Sequence, residues 1–177
     1  MKAMAMVAHP DDCVIFAYSF INHYPQFDWT ICYLTRTKND PRGSEFASFW
    51  SRRNIKTKFL GFNDSWESVK NGKLGFDPVT ATTAIKEAIK DQNLILTHDH
   101  RGDYGHVHHK FICDVVSDHH THMVTFAGIG QGNVKYFIDT HLYNLDEFPL
   151  HKDVVSGFHP KVHTNEYCVS ERVRKIL

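Results

Sequence analysis

Short apolar runs alternate along the chain with segments in which apolar residues recur at helical spacing. The apolar runs predict buried strands at 2–7, 29–34, 56–62 and 94–97. The helical spacing predicts helices at 12–23, at 44–53 and from Pro78, where the buried face carries Ala84, Ile85, Ala88 and Ile89. Strand and helix therefore alternate through this part of the chain.

The alternation continues to the carboxyl terminus. A helix is predicted at 106–118, followed by strands at 123–127 and 134–138, a mixed segment to 160 and an amphipathic tail to Leu177. This order is typical of an α/β protein with a Rossmann-like, doubly wound and mostly parallel sheet that has helices on both faces. A length of 177 residues suits a single domain over 1–177.

The charges of the chain balance, with 20 lysines and arginines against 20 aspartates and glutamates. Because this balance leaves no overall field to attract nucleic acid or an anionic membrane surface, we expect a small-molecule partner and no nucleic acid. No apolar run approaches the roughly 18–20 residues that span a bilayer, and the amino-terminal residues do not resemble a cleavable signal. We therefore expect a cytoplasmic protein.

Histidine is abundant, whereas the cysteines show no pattern. The four cysteines form no CxxC pair, which predicts reduced thiols and neither a disulfide framework nor a structural zinc ribbon. The fourteen histidines exceed what packing requires, and several cluster at 98–109 and 119–122, which points to metal chemistry. Gly128, Gly130 and Gly132 do not indicate a dinucleotide site, because no GxGxxG follows the first strand.

Two clusters of histidine and aspartate stand directly after predicted strands. Ala-His-Pro-Asp-Asp occupies 8–12 after the first strand, and a histidine-rich stretch occupies 98–109 after the fourth. In a doubly wound sheet the first and fourth strands are commonly neighbours at the point where the strand order reverses, and ligands bind beyond their carboxyl ends. We therefore expect the two clusters to face each other across one crevice.

These clusters contain the residue types of a catalytic zinc site, which has three protein ligands and an open position for water. His9, Asp12 and His109 can supply the ligands. Of the two adjacent aspartates, one can bind the metal while the other takes a proton from the water, and Asp11 is the candidate general base. His106, one helical turn before His109, is a candidate donor to the oxyanion.

The order of these motifs resembles the LmbE-like or PIG-L-like zinc-dependent N-acetylglucosaminyl de-N-acetylases. The chain has the AHPDD of that family at 8–12 and its Tyr-Gly-His-x-x-His element at 104–109, after a Leu-Thr-His-Asp strand end. Further similarity is seen in the R-x-x-E pair Arg42 and Glu45, in the strand end at 59–64, and in Lys152 and His159.

The resemblance implies roles for individual residues. It places zinc on His9, Asp12 and His109, makes Asp11 the base, and lets His106 and Tyr104 assist the carbonyl. It also implies that Arg42 and Asp64 touch the substrate. Zn2+ is the expected cofactor, and Fe2+ stays open because two histidines and an aspartate accept several divalent ions.

The chain departs from the family pattern at several positions. Val107 and His108 stand where the family usually has Pro-Asp, so a carboxylate that could orient a metal ligand is missing. Cys13 and the bulky residues at 16–18 replace an acidic, glycine-rich stretch, and Arg-Thr-Lys at 36–38 replaces the usual Gly-Glu. We interpret these differences as changes in pocket shape and substrate.

The predicted function is removal of the N-acetyl group from an N-acetylglucosamine-like sugar or sugar conjugate, giving an amine and acetate. Two alternatives stay open: an amidase acting on a larger conjugate or another acyl group, and a metal-binding or sugar-binding module that has lost catalysis. The sequence does not determine whether the chain forms a homo-oligomer.

Several residues also have a purely structural interpretation. Arg42 and Glu45 could form an ion pair on one helical turn, Asp64 could cap a turn, and Tyr104 could be a packing residue. Histidines paired with aspartates are commonly hydrogen-bonded without metal. His119, His120 and His122 are expected to face water or a helix end, and we leave them out of the site.

Overall fold

The computed structural model describes residues 1–126, 134–137, 143–158 and 166–177. Its strands are β1 (Lys2–Val7), β2 (Asp28–Thr35), β3 (Lys56–Phe62), β4 (Leu94–Thr97), β5 (Met123–Phe126), β6 (Val134–Phe137) and β7 (Glu166–Val169). Its helices are α1 (Asp12–Ile15), α2 (Tyr18–His23), α3 (Pro41–Ser51), α4 (Trp66–Lys70), α5 (Pro78–Ile89), α6 (Val107–His119), α7 (Lys152–Phe158) and α8 (Glu171–Arg174), with a 3-10 turn at Leu145–Glu147.

The strands form one sheet in the order β3-β2-β1-β4-β5-β7-β6. Strands β1 to β5 are parallel, while β7 runs antiparallel between β5 and β6. The order reverses at β1, which pairs with β2 on one side and with β4 on the other. The predicted adjacency of the first and fourth strands is confirmed, so the loops that follow β1 and β4 open at the same edge.

Helices cover both faces of the sheet, as a doubly wound fold requires. Alternate side chains of β1 point to opposite faces: Ala3, Ala5 and Val7 belong to one core layer, and Met4 and Met6 belong to the other. The first layer is packed by apolar residues of α1, α2 and α3, and the second by those of α5 and α6. Burial on both faces explains why the strands appear as unbroken apolar runs.

The helix boundaries differ from the sequence prediction where capping chemistry decides them. Helix α3 begins at Pro41, not at residue 44, because Asp40 accepts hydrogen bonds from the backbone N–H groups of Arg42 and Gly43 and proline suits the first helical position. The helix predicted at 12–23 is two short helices, interrupted at residues 16–17. The ring of Phe16 lies against His98 and His109.

The carboxyl-terminal part was predicted least well. The mixed segment contains the 3-10 turn and α7, and the amphipathic tail contains the short strand β7, which pairs with β5 and β6. Neither partner lies next to β7 in the sequence, so local periodicity did not reveal the strand. Among the described residues, no helix is long and apolar enough to cross a membrane.

Glu45 ties helix α3 to this carboxyl-terminal part. Its Oε1 accepts the backbone N–H of Leu150 at 2.7 Å, and its Oε2 lies 2.7 Å from Nδ1 of His151. The carboxylate is almost fully buried. The alternative that Glu45 pairs with Arg42 is therefore wrong, because both of its oxygens are engaged elsewhere.

We expect Glu45→Gln to lower the free energy of unfolding by about 1–3 kcal/mol, since it removes a charge-assisted hydrogen bond between a buried carboxylate and the partly buried His151. Urea unfolding of the metal-free protein measures the change. Glu67→Gln is the matched control, because Glu67 is exposed and bonds to Asn71 on its own helix. Equal stability of the two variants would contradict the expectation.

Candidate metal centre

The predicted metal and substrate residues lie beyond the carboxyl ends of strands at the same edge of the sheet, in the loops and in the first turns of the helices that follow. His9, Asp11 and Asp12 follow β1, while His106 and His109 lie after β4. Asp64 follows β3. The structure brings the two histidine and aspartate clusters together, as the sequence predicted. His9, Asp12 and His109 are all buried.

The three predicted metal ligands direct one atom each toward a common point. His9 Nδ1 lies 3.1 Å from Asp12 Oδ2 and 3.4 Å from His109 Nε2. His109 Nε2 in turn lies 3.3 Å from Asp12 Oδ2. Tetrahedral ligands with bonds of about 2.0–2.1 Å are about 3.3–3.4 Å apart. The donor triangle therefore fits a divalent metal ion of zinc size.

Asp103, which the sequence did not single out, orients His109. Its Oδ2 accepts a hydrogen bond from His109 Nδ1 at 2.8 Å, so the Nε2 lone pair of His109 faces His9 and Asp12. Metal-binding histidines commonly donate their second ring N–H to a carboxylate in this way. Asp103 is held in turn by Asp99, whose Oδ1 accepts its backbone N–H at 2.8 Å.

The loop that carries Asp103 has an unusual backbone. Asp103 has a φ of 60°, in the left-handed region, and the preceding Gly102 has a φ of 72°. A Cβ at Gly102 would lie 2.6 Å from the carbonyl oxygen of His106. Only glycine fits there, and the tight turn aims the Asp103 carboxylate inward.

His98 shares Asp103 with His109 and is also a residue that the sequence analysis left unassigned. Its Nδ1 lies 2.5 Å from Asp103 Oδ2, and its Nε2 accepts the backbone N–H of Ala8 at 3.1 Å. The ring stacks on that of His109 with centroids 3.7 Å apart. Since both nitrogens of His98 are engaged, it supports the site without offering a free metal-binding atom.

Neighbouring carboxylates keep the two candidate histidine ligands protonated in the metal-free protein. Burial alone would lower the pKa of His9, but interactions with Asp12, Asp64 and Asp11 together outweigh burial and raise the pKa to about 10. Burial alone would also lower the pKa of His109, but the carboxylates of Asp12 and Asp103 together raise it to about 9. A metal ion must therefore displace protons from both rings.

We expect the metal-free protein to lose stability as the pH rises from about 6.5 to about 10. In this range the folded state holds protons on His9 and His109 that the unfolded state has released. The stabilisation is therefore complete below the pKa of unfolded histidine, and it is lost as the pH rises past the higher pKa values of the folded state. Urea unfolding in the presence of a chelator measures the decline. The metal-loaded protein is the control, since the metal replaces these protons, and a flat profile with chelator would contradict the expectation.

Asp11 pairs with Arg42 and belongs to none of the candidate metal-binding groups among the described residues. Arg42 Nη2 lies 2.5 Å from Asp11 Oδ1, and both side chains are largely buried. Asp11 precedes α1, yet its side chain makes no capping hydrogen bond. The Nε of Arg42 is buried and has no hydrogen-bond partner among the described residues. A buried donor without a protein partner is typical of a group that meets a ligand or a water molecule.

Asp64 is held by Arg36 and faces His9. Arg36 Nη2 donates to Asp64 Oδ2 at 2.8 Å, while Asp64 Oδ1 lies 3.6 Å from His9 Nε2. Although partial burial alone would raise the pKa of Asp64, the contacts with His9 and Arg36 lower it well below its usual range. Ser65, not Asp64, caps the following helix by accepting the backbone N–H of Ser68. The alternative that Asp64 only caps a turn is therefore wrong.

His106 caps helix α6 and is held neutral. Its Nδ1 accepts the backbone N–H of His108 at 3.2 Å, so the ring proton is on Nε2. Burial, together with the neighbouring histidines, lowers the pKa of His106 to about 3. Its donor atom lies within 4.8 Å of donor atoms of His9 and His109. The ring can present Nε2–H to a group bound beside the donor triangle.

Tyr104 lies at the outer edge of the site. Its ring centroid is 5.2 Å from that of His109 and 6.0 Å from that of His106, and the residue is 57% exposed. Desolvation raises the pKa of the phenol above its usual range, so the hydroxyl keeps its proton. The exposure argues against a role in core packing.

The remaining candidates lie elsewhere. His119 is exposed at the end of α6, and His120 bonds to the backbone carbonyl of Gln92, so neither joins the site. Lys152 forms an exposed ion pair with Asp146. His159 and the Gly128, Gly130 and Gly132 cluster lie outside the described residues.

Comparison with protein families gives one match. The PIG-L model, described as GlcNAc-PI de-N-acetylase, matches residues 4–120, which include every candidate residue of the centre. No curated protein is similar enough to count as a match.

Solved structures that share the fold include three deacetylases. The A40926 pseudoaglycone deacetylase Dbv21 is 14% identical with a TM-score of 0.56, over 89% of this chain and 80% of that one. The N,N'-diacetylchitobiose deacetylase of Pyrococcus horikoshii is 12% identical with a TM-score of 0.56, over 98% and 73%. The zinc-inhibited form of teicoplanin deacetylase Orf2 is 11% identical with a TM-score of 0.54, over 89% and 84%.

Proposed function

This chain belongs to the PIG-L family of GlcNAc-PI de-N-acetylases, and from that premise we propose that it is a zinc-dependent hydrolase of an N-acetylglucosamine-like sugar or sugar conjugate. The reaction replaces the bond between the amide nitrogen and the acetyl carbon with a bond to a water oxygen. Its products are an amine and acetate.

The convergence of His9 Nδ1, Asp12 Oδ2 and His109 Nε2 beside Asp11 carries this proposal. Two histidines and one carboxylate are a common ligand set for catalytic zinc, and the spacing of the three atoms suits its bond lengths. When bound, the metal supplies a Lewis acid and lowers the pKa of water to near neutrality. Fe2+ is accepted by the same ligand types.

Asp11 is the proposed general base. It is buried, stands next to the proposed ligand Asp12 in the sequence and forms an ion pair with Arg42, and a carboxylate can accept the proton of the attacking water. Arg42 also keeps the carboxylate in position. The unpartnered Nε of Arg42 supports its proposed contact with the substrate, because a substrate oxygen would satisfy that donor.

His106 and Tyr104 are the proposed partners of the substrate carbonyl. A neutral His106 donates from Nε2 to the oxygen on which negative charge develops, and a neutral donor needs no proton uptake to do so. The phenol of Tyr104 stays protonated and lies at the same edge of the site. Both are placed to act on an oxygen beside the donor triangle.

Asp64 is the proposed contact to sugar hydroxyls. Its carboxylate is ionised and oriented by Arg36, and ionised carboxylates form strong hydrogen bonds with hydroxyl donors. Two structures that share the fold are named as deacetylases of the A40926 pseudoaglycone and of N,N'-diacetylchitobiose, and the second name supports an amino-sugar substrate here.

The proposal is tested by metal content together with release of a primary amine from a panel of N-acetylated sugars, before and after chelation. Zinc should be added at one equivalent only, because Orf2 was solved in a zinc-inhibited form. Chelator-sensitive acetate and amine release would support a de-N-acetylase. Faster release of a longer acyl group would favour the amidase alternative, and bound metal without any hydrolysis would favour a binding module. A protein that binds no metal would refute the central step.

A further inference from the structure

A line of hydrogen bonds connects the backbone of the segment after α4 to Nε2 of His9, the ring nitrogen that does not belong to the donor triangle. His108 Nε2 lies 2.8 Å from the carbonyl oxygen of Leu74, and His108 Nδ1 lies 3.2 Å from His9 Nε2. His108 itself is completely buried. It stands where the family pattern has an aspartate, so its place in this centre needs an explanation of its own.

The direction of both hydrogen bonds follows from the carbonyl of Leu74. A carbonyl oxygen only accepts, so the ring proton of His108 is on Nε2 and the Nδ1 of the neutral ring is an acceptor. Two nitrogens 3.2 Å apart cannot both carry hydrogen in the space between them. His9 therefore donates Nε2–H to His108 Nδ1.

This arrangement decides which nitrogen of His9 is free for the metal. With the proton on Nε2, the lone pair of Nδ1 faces Asp12 Oδ2 and His109 Nε2 at 3.1 and 3.4 Å. We propose that His108 is a positioning residue, which fixes His9 as the tautomer that binds the metal through Nδ1. The inference rests on the metal dependence proposed above.

Asp64 is less well placed to fix His9. Its nearer oxygen lies 3.6 Å from His9 Nε2, beyond hydrogen-bonding distance, and Arg36 holds the other oxygen. His108 thus takes the place of the aspartate that the family usually has at this position. It acts as a neutral hydrogen-bond acceptor, and the backbone carbonyl of Leu74 fixes the orientation of its ring. The two histidine ligands are oriented by unlike partners, His9 by His108 and His109 by the carboxylate of Asp103.

The competing explanation is that His108 is a packing residue. Its ring lies 5.2 Å from that of Phe76, so a phenyl ring could fill the same space. Packing alone predicts that His108→Phe changes stability but not the intrinsic metal affinity. Positioning predicts that the loss of the acceptor weakens metal binding in protein that is still folded.

The first test reads the tautomers directly in the unchanged protein loaded with one equivalent of zinc. Long-range proton–nitrogen NMR correlations distinguish a ring protonated at Nδ1 from one protonated at Nε2. We expect Nε2–H on both His108 and His9. Hydrogen on Nδ1 of either ring would overturn the proposal, and this test needs no variant that might fail to fold.

The second test compares zinc affinities, measured by competition with a chromophoric chelator. We expect His108→Phe to raise the Kd for zinc by about 10–100-fold. His108→Asn should stay close to the unchanged protein, because Oδ1 of asparagine takes the position of Nδ1 and keeps the acceptor. Phe76→Leu is the matched control, since it disturbs the same packing and leaves both hydrogen bonds of His108 in place.

The outcomes separate this inference from the proposed function. Equal affinity of His108→Phe and the unchanged protein would overturn the positioning role while leaving metal dependence intact. Weaker binding in Phe76→Leu to the same extent would assign the effect to packing. Absence of zinc binding by the unchanged protein would refute the proposed function and, with it, the positioning role of His108, because that role rests on metal binding.

Discussion

Replacing Asp11 with asparagine is expected to lower kcat by about 10²–10⁴-fold, the usual contribution of a general base, while the metal stays bound. Asparagine has nearly the shape of aspartate but cannot take the proton of the attacking water. Asp11 is not part of the donor triangle, so metal content should not change. Steady-state amine release and metal analysis of the same sample measure both effects.

The loss of the Asp11 charge also leaves Arg42 without its ion-pair partner, so folding must be checked alongside activity. The pair is mostly buried, and breaking such a pair is destabilising. Circular dichroism and urea unfolding show whether the variant is folded under the assay conditions. Asp91→Asn is the matched control, because it makes the same substitution at an exposed position and should leave activity and stability unchanged. Full activity of folded, metal-loaded Asp11→Asn would remove Asp11 from the mechanism.

Replacing His109 with alanine is expected to weaken metal binding by at least about 100-fold, because each ligand contributes a large share of the binding free energy. The substitution removes one corner of the triangle and takes one partner each from Asp103 and Asp12. Competition with a chromophoric chelator measures the affinity. Hydrolysis should fall in parallel and return partly at high metal concentration.

His119→Ala is a close control for this prediction. His119 lies on the same helix, α6, but is exposed at its end and outside the donor triangle. The control should bind metal like the unchanged protein. If His109→Ala bound metal equally well, His9 and Asp12 would have to use another partner, and His106 would be the next candidate because its donor atom lies within 4.8 Å of the others.

The fold could be predicted well because its signals are local. The strands Lys2–Val7, Lys56–Phe62 and Leu94–Thr97 have the same bounds in the structure as in the sequence prediction. Burial on both faces makes such strands uniformly apolar, and alternation with helices limits the topology to a few choices. The antiparallel strand β7 escaped because its partners are distant in the chain.

The membership of the candidate centre also followed from the sequence. His9, Asp12 and His109 stand after strands whose adjacency is a rule of this fold, so their convergence could be expected before any coordinates. Their roles stay predictions that the experiments above test. The ion pair of Asp11 with Arg42 is a finding of the structure, because the motif that contains Asp11 does not indicate which cation it meets.

Tertiary structure alone decided how the site residues are held. Asp103 orients His98 and His109, Arg42 pairs with Asp11 and not with Glu45, and the carbonyl of Leu74 sets the direction of His108. Whether a hydrogen bond forms depends on differences of a few tenths of an ångström in the distance between two groups. The pairs Arg42–Asp11 and His108–Leu74 join residues that are far apart in the sequence. Periodicity and motif spacing determine which residues reach the end of a strand, but they contain no information on such distances, and only the packed chain determines the partner of each polar group.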